Sequence, residues 1–496
     1  MIIKSKLKTI ILLCLVAFCS VLLMTGCGET REGKRSLYAI ILSYDEQEQT
    51  LYAKQSVTYV NDSENAFDRI YFHLYANAFR SGRERTVVSL NKMAQAYYDG
   101  QSEGGISISS IQIEGKDVDF AVEGEIENIL SVPLPQLVYP DEEIKIYMEY
   151  SVKLAKINHR LGVGQSTINF GNFYPILCVY EDGVGFFKNE YHSNGDPFYS
   201  QCADYEVEID FDQQFTLASS GNKVSAANEN GRSYAQIKGD NIRDFAFILS
   251  KKHNVISCEN EGTTISYYGY EGDDDFEENL VVAKEAVIFF NEKFGPYPYK
   301  QLSVVKASFL NGGMEYPNMV LISDDVGKED FKYVIVHEIA HQWWYGVVGN
   351  DQYNHAWMDE SLAEYSTLLF FKNHPQYEEN FNDMILNAEK SYKTFVKVYT
   401  KVNGSVDGVM DKPLCEFDTE PEYVQCTYTK GVLLLDGIRK TIGDKKFEKA
   451  LKNYYKNFSY KEASPADFIA TFIKAGGGDL EGYINSFLQD KIVFGE

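Results

Sequence analysis

Hydrophobic and polar residues alternate along much of the chain between about Ser36 and Ser257. Apolar side chains occupy every second position over Ile144–Val152, and the same spacing recurs over Tyr205–Phe211. A period of two indicates strands with one buried face. Clusters of Asn and Gly, such as Asn228–Gly231, predict the turns between them. Residues 37–257 are therefore predicted to form a sandwich-like β domain.

The pattern changes to a helical period after about Asn260. Apolar residues over Leu280–Phe290 follow the acidic run Glu271–Asp275, which indicates an amphipathic helix with acids at its positive end. A strand is predicted at Leu302–Phe309. Further helices are predicted at 331–345, 361–372, 431–440 and 445–458, and after the capping pair Ser464-Pro465. Residues 258–496 are thus predicted to be a mainly helical domain, which makes the chain an α+β multidomain protein.

Residues 1–26 have the pattern of an export signal. Three Lys and no acid precede an apolar run at 10–24, whose length of about 15 residues is too short to span a bilayer. Met24-Thr25-Gly26-Cys27 resembles a bacterial lipobox, with Met where Leu is commoner. We therefore expect lipidation at Cys27, a tether over 27–36, and attachment to the extracytoplasmic face of the cell membrane through that lipid only. A simple secretory signal and an N-terminal anchor helix are the alternatives.

Charge narrows the classes of partner. The chain carries 47 Lys and Arg against 72 Asp and Glu, a formal net charge of −25. Such a chain repels phosphate backbones, so no nucleic-acid partner is expected. The same charge argues against electrostatic adhesion to an anionic membrane. Removal of residues 1–26 with their three Lys would take the charge from −25 to −28.

The cysteines do not form a recognisable framework. Once Cys14 and Cys19 leave with the signal and Cys27 is lipidated, five of the eight remain, and an odd number does not indicate a disulfide scaffold. Cys415 and Cys426 are close enough in sequence to bridge, and buried free thiols are the alternative. The other three are Cys178, Cys202 and Cys258.

The strongest chemical signal is His337-Glu338-Ile339-Ala340-His341, in an apolar helical context. At positions i and i+4 both imidazoles lie on one helix face and can reach one ion, while Glu338 can touch a water on that ion without ligating it. Two core histidines are the alternative interpretation.

A catalytic zinc site needs a third protein ligand and an open fourth position. Glu360 follows His341 after 18 intervening residues, at the predicted start of the next helix, and is the candidate third ligand. Glu364, one turn further on, could accept a hydrogen bond from a ligand imidazole, although it could equally be a surface acid.

With these residues the chain resembles the gluzincin zinc aminopeptidases, the family of alanyl aminopeptidases and leukotriene hydrolase. The spacing to Glu360 and the run Trp357-Met358-Asp359-Glu360 are the signature of that family. Three more segments agree with its motifs: Gly312-Gly313-Met314-Glu315-Tyr316 looks like Gly-x-Met-Glu-Asn, Tyr428-Thr429-Lys430-Gly431 resembles Tyr-x-Lys-Gly, and Phe294–Tyr299 matches a common Phe-Gly-Pro-Tyr-Pro-Tyr run. Tyr316 departs from the usual Asn, which leaves the geometry of that strand open.

The resemblance implies a saddle-like β domain followed by a thermolysin-like, mainly helical zinc peptidase domain, without the large C-terminal helical domain of longer members. It implies one Zn²⁺ per chain on His337, His341 and Glu360, with Glu338 as general base. Tyr428 would donate to the developing oxyanion. Gly312, Gly313, Met314 and Glu315 would bind the substrate, with Glu315 on its α-ammonium. A second contact for the amine is not placed by the sequence, although Gln165 lies nearby.

The expected activity is that of an aminopeptidase, which releases first residues from peptides with a free N-terminus through zinc-generated hydroxide and a Glu base. The alternatives are a metallo-endopeptidase, an epoxide hydrolase side activity like that of the leukotriene enzyme, and a non-catalytic surface binding protein on a peptidase scaffold. The sequence does not specify an oligomeric state.

Overall fold

The computed structural model describes residues 35–82, 87–477 and 479–491. The predicted signal peptide, Cys27 and nearly all of the predicted tether lie outside the described residues. From Ser36 onward the described residues belong to one compact unit.

The alternating segments form a β region, which we define as residues 36–250. Its elements are β1 (Leu37–Asp45), β2 (Thr50–Val60), β3 (Phe67–His73), α1 (Met93–Ala96), β4 (Gly105–Ile113), β5 (Lys116–Asp117), β6 (Ala121–Glu123), β7 (Ile129–Val138), β8 (Glu143–Lys153), β9 (Leu161–Val163), β10 (Ile168–Phe170), β11 (Ile176–Leu177), β12 (Tyr180–Glu181), β13 (Gly185–Phe186), β14 (Ala203–Asp212), β15 (Thr216–Ser219), β16 (Asn222–Glu229), β17 (Arg232–Ile242) and β18 (Phe247–Ser250).

The largest sheet of this region has the order β16-β17-β14-β1-β2-β8-β4-β5 among the described residues. Its neighbours are antiparallel except for β1 and β14. The two alternating runs noted in the sequence are β8 and β14, and in both every second side chain is buried. Two four-stranded sheets, β15-β18-β10-β9 and β11-β3-β7-β6, complete the region with the pair β12-β13.

A helical region, defined as residues 253–491, follows. Its strands are β19 (His253–Asn260), β20 (Thr263–Tyr270), β21 (Gln301–Ala307), β22 (Gly313–Met314), β23 (Met319–Ser323), β24 (Val348–Gly349) and β25 (Lys461–Glu462). Its helices are α2 (Phe276–Lys293), α3 (Lys328–Ala340), α4 (Trp357–Asn373), α5 (Phe381–Asn403), α6 (Glu420–Val424), α7 (Lys430–Ile442), α8 (Asp444–Phe458), α9 (Pro465–Gly476) and α10 (Asp479–Leu488), with a π-helical turn at Gln425–Thr429 between α6 and α7.

A five-stranded sheet, β19-β20-β21-β23-β22, joins the two regions. Strands β21 and β23 of this sheet are buried on both faces, because successive side chains enter different cores. Val304 of β21 and Val320 of β23 pack in the core of the helical region. Their neighbours Val305 and Leu321 pack in the core of the β region. β22 pairs only with β23 among the described strands, so it forms the edge of this sheet.

The predicted fold class is confirmed: a β-rich region precedes a mainly helical one. Sheet membership changes between Ser250 and His253, and the domain boundary at 257/258 stays a prediction. The helix predicted at 331–345 ends earlier, at Ala340, because the chain then turns and Tyr345 has a φ of 115°. The sequence pattern left α5 unpredicted, since only three of its 23 side chains are fully buried.

The described residues contain no disulfide, so none of Cys178, Cys202, Cys258, Cys415 and Cys426 is bridged to another cysteine. Cys415 is exposed and Cys426 is buried, so the bridge that their spacing allowed does not form. None of the described helices combines the length and the apolar composition that crossing a bilayer requires.

Candidate active site

A cleft of about 350 Å³ lies between the β region and the helical region. One side of it is crossed by an ion pair in which Lys92 Nζ lies 2.6 Å from Glu420 Oε1. Most of the residues predicted from the sequence line this cleft, namely Gly312, Gly313, Glu315, His337, Glu338, His341, Glu360, Glu364 and Tyr428. The β region contributes Lys92, Arg160, Ser193, Gly195 and Asp196.

The three predicted metal ligands converge in the cleft. The Nε2 atoms of His337 and His341 lie 3.2 Å apart, and Glu360 Oε2 lies 3.3 Å and 3.2 Å from them. In a tetrahedral site with bonds of about 2.0–2.1 Å, ligand atoms are about 3.3–3.4 Å apart. Two imidazole nitrogens and one carboxylate oxygen at this spacing therefore fit a zinc ion with an open fourth position.

A carbonyl or carboxylate oxygen lies beside the Nδ1 atom of each imidazole. His341 Nδ1 lies 3.0 Å from the carbonyl oxygen of Trp344, and His337 Nδ1 lies 2.9 Å from Glu364 Oε2. The hydroxyl of Tyr333 donates to the other oxygen of Glu364 at 2.6 Å. Partners of this kind hold the Nδ1 proton and leave Nε2 free to ligate. Glu364 is thus placed where the sequence suggested, one turn after Glu360.

The charges around these ligands favour a cation. Burial acts to lower the pKa of His337, but Glu360 and Glu364 raise it to about 10. Burial acts to raise the pKa of Glu360, but His341 and His337 bring it down to about 2. A dication on deprotonated imidazoles would satisfy the same carboxylates, as metal binding generally replaces protons.

Glu338 lies beside the ligands without joining them. Its Oε2 is buried and has no hydrogen-bond partner within the described part of the chain. Gly313 leaves room for this carboxylate, because a Cβ there would lie 2.3 Å from Glu338 Oε1. Burial raises the pKa of Glu338 to about 7, although His337 and His341 act to lower it. A buried, unpartnered carboxylate of this kind suits a general base.

Glu315 follows edge strand β22 and is held by one amide. Gln352 Nε2 donates to Glu315 Oε1 and to Asp359 Oδ2, both at 2.7 Å. Burial, and then the charge of Asp196, raises the pKa of Glu315 well above its usual value. Ligand atoms of Glu315, His341 and Asp359 also lie within 4.8 Å of one another, but both carboxylates already accept from Gln352. The Glu315 carboxylate is thus fixed among other acids, where a cation would stabilise it.

Tyr428 stands over the ligands from the π-helical turn. Its ring centroid is 5.9 Å from that of His337, with 24° between the planes. Burial, followed by the charge of Glu360, raises the pKa of Tyr428 well above its usual value, so the phenol keeps its proton. It can therefore serve as a hydrogen-bond donor to the cleft.

Three sequence suggestions fall outside the cleft lining: Tyr316, Gln165 and Met314, the last of which was expected to bind substrate. Tyr316 is buried and its hydroxyl donates to Asn172 Oδ1 at 2.8 Å, in space that Gly171 leaves open, so it packs against the β region. Gln165 is exposed and bonds to Asn158 at 3.1 Å. Met314 is also buried, with Sδ 3.4 Å from Arg160 Nη1.

Arg160, Asp196 and Tyr423 are among the cleft residues that sequence reasoning missed. The Arg160 guanidinium is buried and pairs with Asp196, and it stands 5.0 Å from the ring of Phe198. Tyr423 enters from α6, with its hydroxyl buried beneath Gly195. No motif surrounds Arg160 or Asp196, and their approach to the ligands depends on the packing of the two regions. Tyr423 lies five residues before Tyr428, a spacing that puts two residues on different sides of an α-helix, so no signal in the sequence marked it.

Comparison with known proteins adds to this geometry. Residues 278–489 match the family model described as the peptidase family M1 domain. The chain carries a peptidase family M1 domain. The predicted gluzincin aminopeptidase family is thereby confirmed. The matched residues include the His337, His341 and Glu360 triad and also Glu315, Glu338, Tyr423 and Tyr428. Arg160 and Asp196 lie before them in the chain.

Relatives of the M1 domain are similar at low identity. Leucine aminopeptidase 2 of Yarrowia lipolytica is 24% identical over 78% of this chain and 60% of its own length. Human endoplasmic reticulum aminopeptidase 2 is 26% identical over 45% of this chain and 24% of its own length. The chain thus spans less than two thirds of the length of these relatives.

Solved structures share the whole architecture. The M1 zinc metallopeptidase of Deinococcus radiodurans matches with a TM-score of 0.64 at 16% identity, over 93% of this chain and 96% of that one. A mutant of that protein, solved with a Tyr-Ser-Ala substrate, matches equally well at 17% identity. At such identities the likeness establishes the fold.

Proposed function

We propose that this protein is a zinc-dependent aminopeptidase that releases the first residue of peptides with a free N-terminus. The observation that carries the proposal is that one buried cleft contains the His337, His341 and Glu360 triad, an unpartnered Glu338 and a fixed Glu315. The triad and Glu338 would carry out the hydrolysis, and Glu315 would select substrates by their free N-terminus. The named aminopeptidases among the relatives are consistent with this assignment.

The residues of the cleft divide the reaction between them. Bound at the triad, zinc would supply a Lewis acid that lowers the pKa of a water to about 7. Glu338 takes a proton from the attacking water and passes it to the leaving amine. The Tyr428 hydroxyl donates a hydrogen bond to the carbonyl oxygen as negative charge develops there.

Glu315 determines where the substrate begins. Its carboxylate is buried in the cleft and would attract the α-ammonium of a peptide. Fixing the ammonium would place the first peptide bond at the metal. Gly312 and Gly313, at edge strand β22, line the same cleft.

Replacing Glu315 tests the aminopeptidase assignment. We expect Glu315→Ala to lower kcat/KM for free-amine substrates about 10- to 150-fold, because a charge-assisted contact is worth about 1.5–3 kcal/mol. Rates on N-acetylated substrates, which never make this contact, should barely change. Steady-state kinetics on aminoacyl chromophores and their acetylated forms, with and without chelator, would measure both.

Glu315→Gln is the matched variant, since it keeps the shape and removes the charge. It should lose nearly as much on free-amine substrates as Glu315→Ala does. Equal losses on free and blocked substrates would identify Glu315 as a structural residue, and the chain would then be assigned as an endopeptidase.

We also propose that the protein is held by a lipid on Cys27 at the extracytoplasmic face of the cell membrane. Support comes from the basic start, the short apolar run and the lipobox-like Met24-Thr25-Gly26-Cys27. Cys27→Ala should abolish labelling by a fatty-acid probe and leave either released protein or an uncleaved precursor. Cys19→Ala, within the apolar run, is the control that should keep the label. Persistent labelling of Cys27→Ala would contradict the assignment.

A further inference from the structure

The hydroxyl of Tyr423 has no role in the reaction described above. Tyr423 is 4% exposed, lines the cleft, and its hydroxyl has no hydrogen-bond partner among the described residues. A buried hydroxyl without a partner costs free energy. Gly195, with a φ of 61°, makes room for it, because a Cβ there would lie 2.6 Å from the hydroxyl oxygen.

The π-helical turn explains why Tyr423 meets Tyr428. The two residues are five apart, and in an α-helix of 3.6 residues per turn they would point about 140° away from each other. The backbone N–H of Lys430 instead bonds to the carbonyl of Gln425, which closes one turn over five residues. Positions five apart are therefore brought to the same side.

The observed contacts agree with this geometry. The rings of Tyr423 and Tyr428 meet edge to face, with centroids 5.9 Å apart and 83° between the planes. Burial, Glu360 and Asp196 raise the pKa of Tyr423 well above its usual value, whereas the neighbouring Tyr428 hydroxyl acts to lower it. Both phenols thus keep their protons beside ligand Glu360.

We propose that Tyr423 is a positioning residue for Tyr428: its hydroxyl donates to the Tyr428 oxygen while Tyr428 donates to the substrate carbonyl oxygen. The proposal rests on the proposed function, because that carbonyl is the acceptor of the second bond. A chain of two hydrogen bonds fixes the direction of the Tyr428 proton, and each bond polarises the next.

A double-mutant cycle tests the coupling. Tyr423→Phe should lower kcat about 2- to 13-fold, the worth of one neutral hydrogen bond, with KM changed less than about twofold. In a Tyr428→Phe background, Tyr423→Phe should alter kcat by less than about twofold, because the Tyr428 hydroxyl that it would orient is absent. Tyr44→Phe is the control, because Tyr44 also has a buried, unpartnered hydroxyl but lies on β1; it should change nothing.

Two results would overturn the proposal: an unchanged kcat in Tyr423→Phe, whether or not KM rises, or losses of the two single variants that add in the double variant. A spectroscopic measurement separates this from failure of the proposed function. With 3-fluorotyrosine at position 428 of the zinc-free protein, Tyr423→Phe should shift the fluorine resonance and Tyr44→Phe should not. An unmoved resonance would reject the pairing even in an active peptidase, and a shift in a protein without peptidase activity would keep the pairing while rejecting the proposed function.

Discussion

Glu338→Gln should keep zinc at the wild-type level and lower kcat about 10²- to 10⁴-fold, the usual contribution of a general base. The side chain belongs to the helix that carries His337 and is followed directly by His341, and its Oε2 has no hydrogen-bond partner in the described structure. Glutamine has nearly the same volume, and Gly313 leaves the same space for it. Only the ability to accept a proton is lost.

Zinc content by elemental analysis and kcat on an aminoacyl chromophore would be measured together. Glu329→Gln is the matched control: Glu329 is an exposed acid in the first turn of the same helix, and its replacement should change neither quantity. A zinc-free Glu338→Gln protein would mean that ligand and base have been exchanged in the assignment. Near-normal turnover with zinc present would remove Glu338 from the reaction.

His341→Ala should abolish both zinc binding and activity. His341 Nε2 is one corner of a triangle with sides of 3.2–3.3 Å, and the two remaining atoms cannot enclose the ion. The loss of affinity should exceed the 10- to 100-fold that removal of an outer partner produces. Glu364→Gln, which alters only the partner of His337, provides that milder comparison.

Zinc also supplies a readout that does not require turnover. Adding zinc at about 100 times its Kd should stabilise the metal-free wild type by about 2.7 kcal/mol and raise its Tm, while the Tm of His341→Ala should not respond. His374→Ala is the histidine control, because His374 stacks on Phe370 outside the triad. Full zinc occupancy in His341→Ala would reject the ligand assignment.

Much of the site could be predicted from local sequence. His337 and His341 share a face because four residues make about one helical turn, and that relation needs no knowledge of the rest of the fold. Glu315 and Tyr428 were assigned through resemblance to motifs, and Glu360 through resemblance and the helix-start position. The structure brings all of these residues to one cleft. The strands β8 and β14 were equally local predictions, since alternation directly reports one buried face.

Other features required the packed chain. Arg160 and Asp196 reach the cleft from the β region, and no local sequence pattern marks either of them. Even Asp196, the nearer of the two in sequence, lies over 140 residues before His337. Tyr316 was placed by packing against Gly171, away from the cleft that its motif suggested. Tyr423 joined the site because a π-helical turn replaced an α-helical one.

The sequence by itself determined the ligands and the reaction class, because a metal site built on one helix turn depends on spacing and residue type. Only the tertiary structure decided which side chains surround those ligands, what holds Glu315, and which hydroxyl faces Tyr428. Those contacts join residues that are far apart in the chain. Their positions follow from how two buried cores pack around one shared sheet, and periodicity along a single segment does not encode that packing.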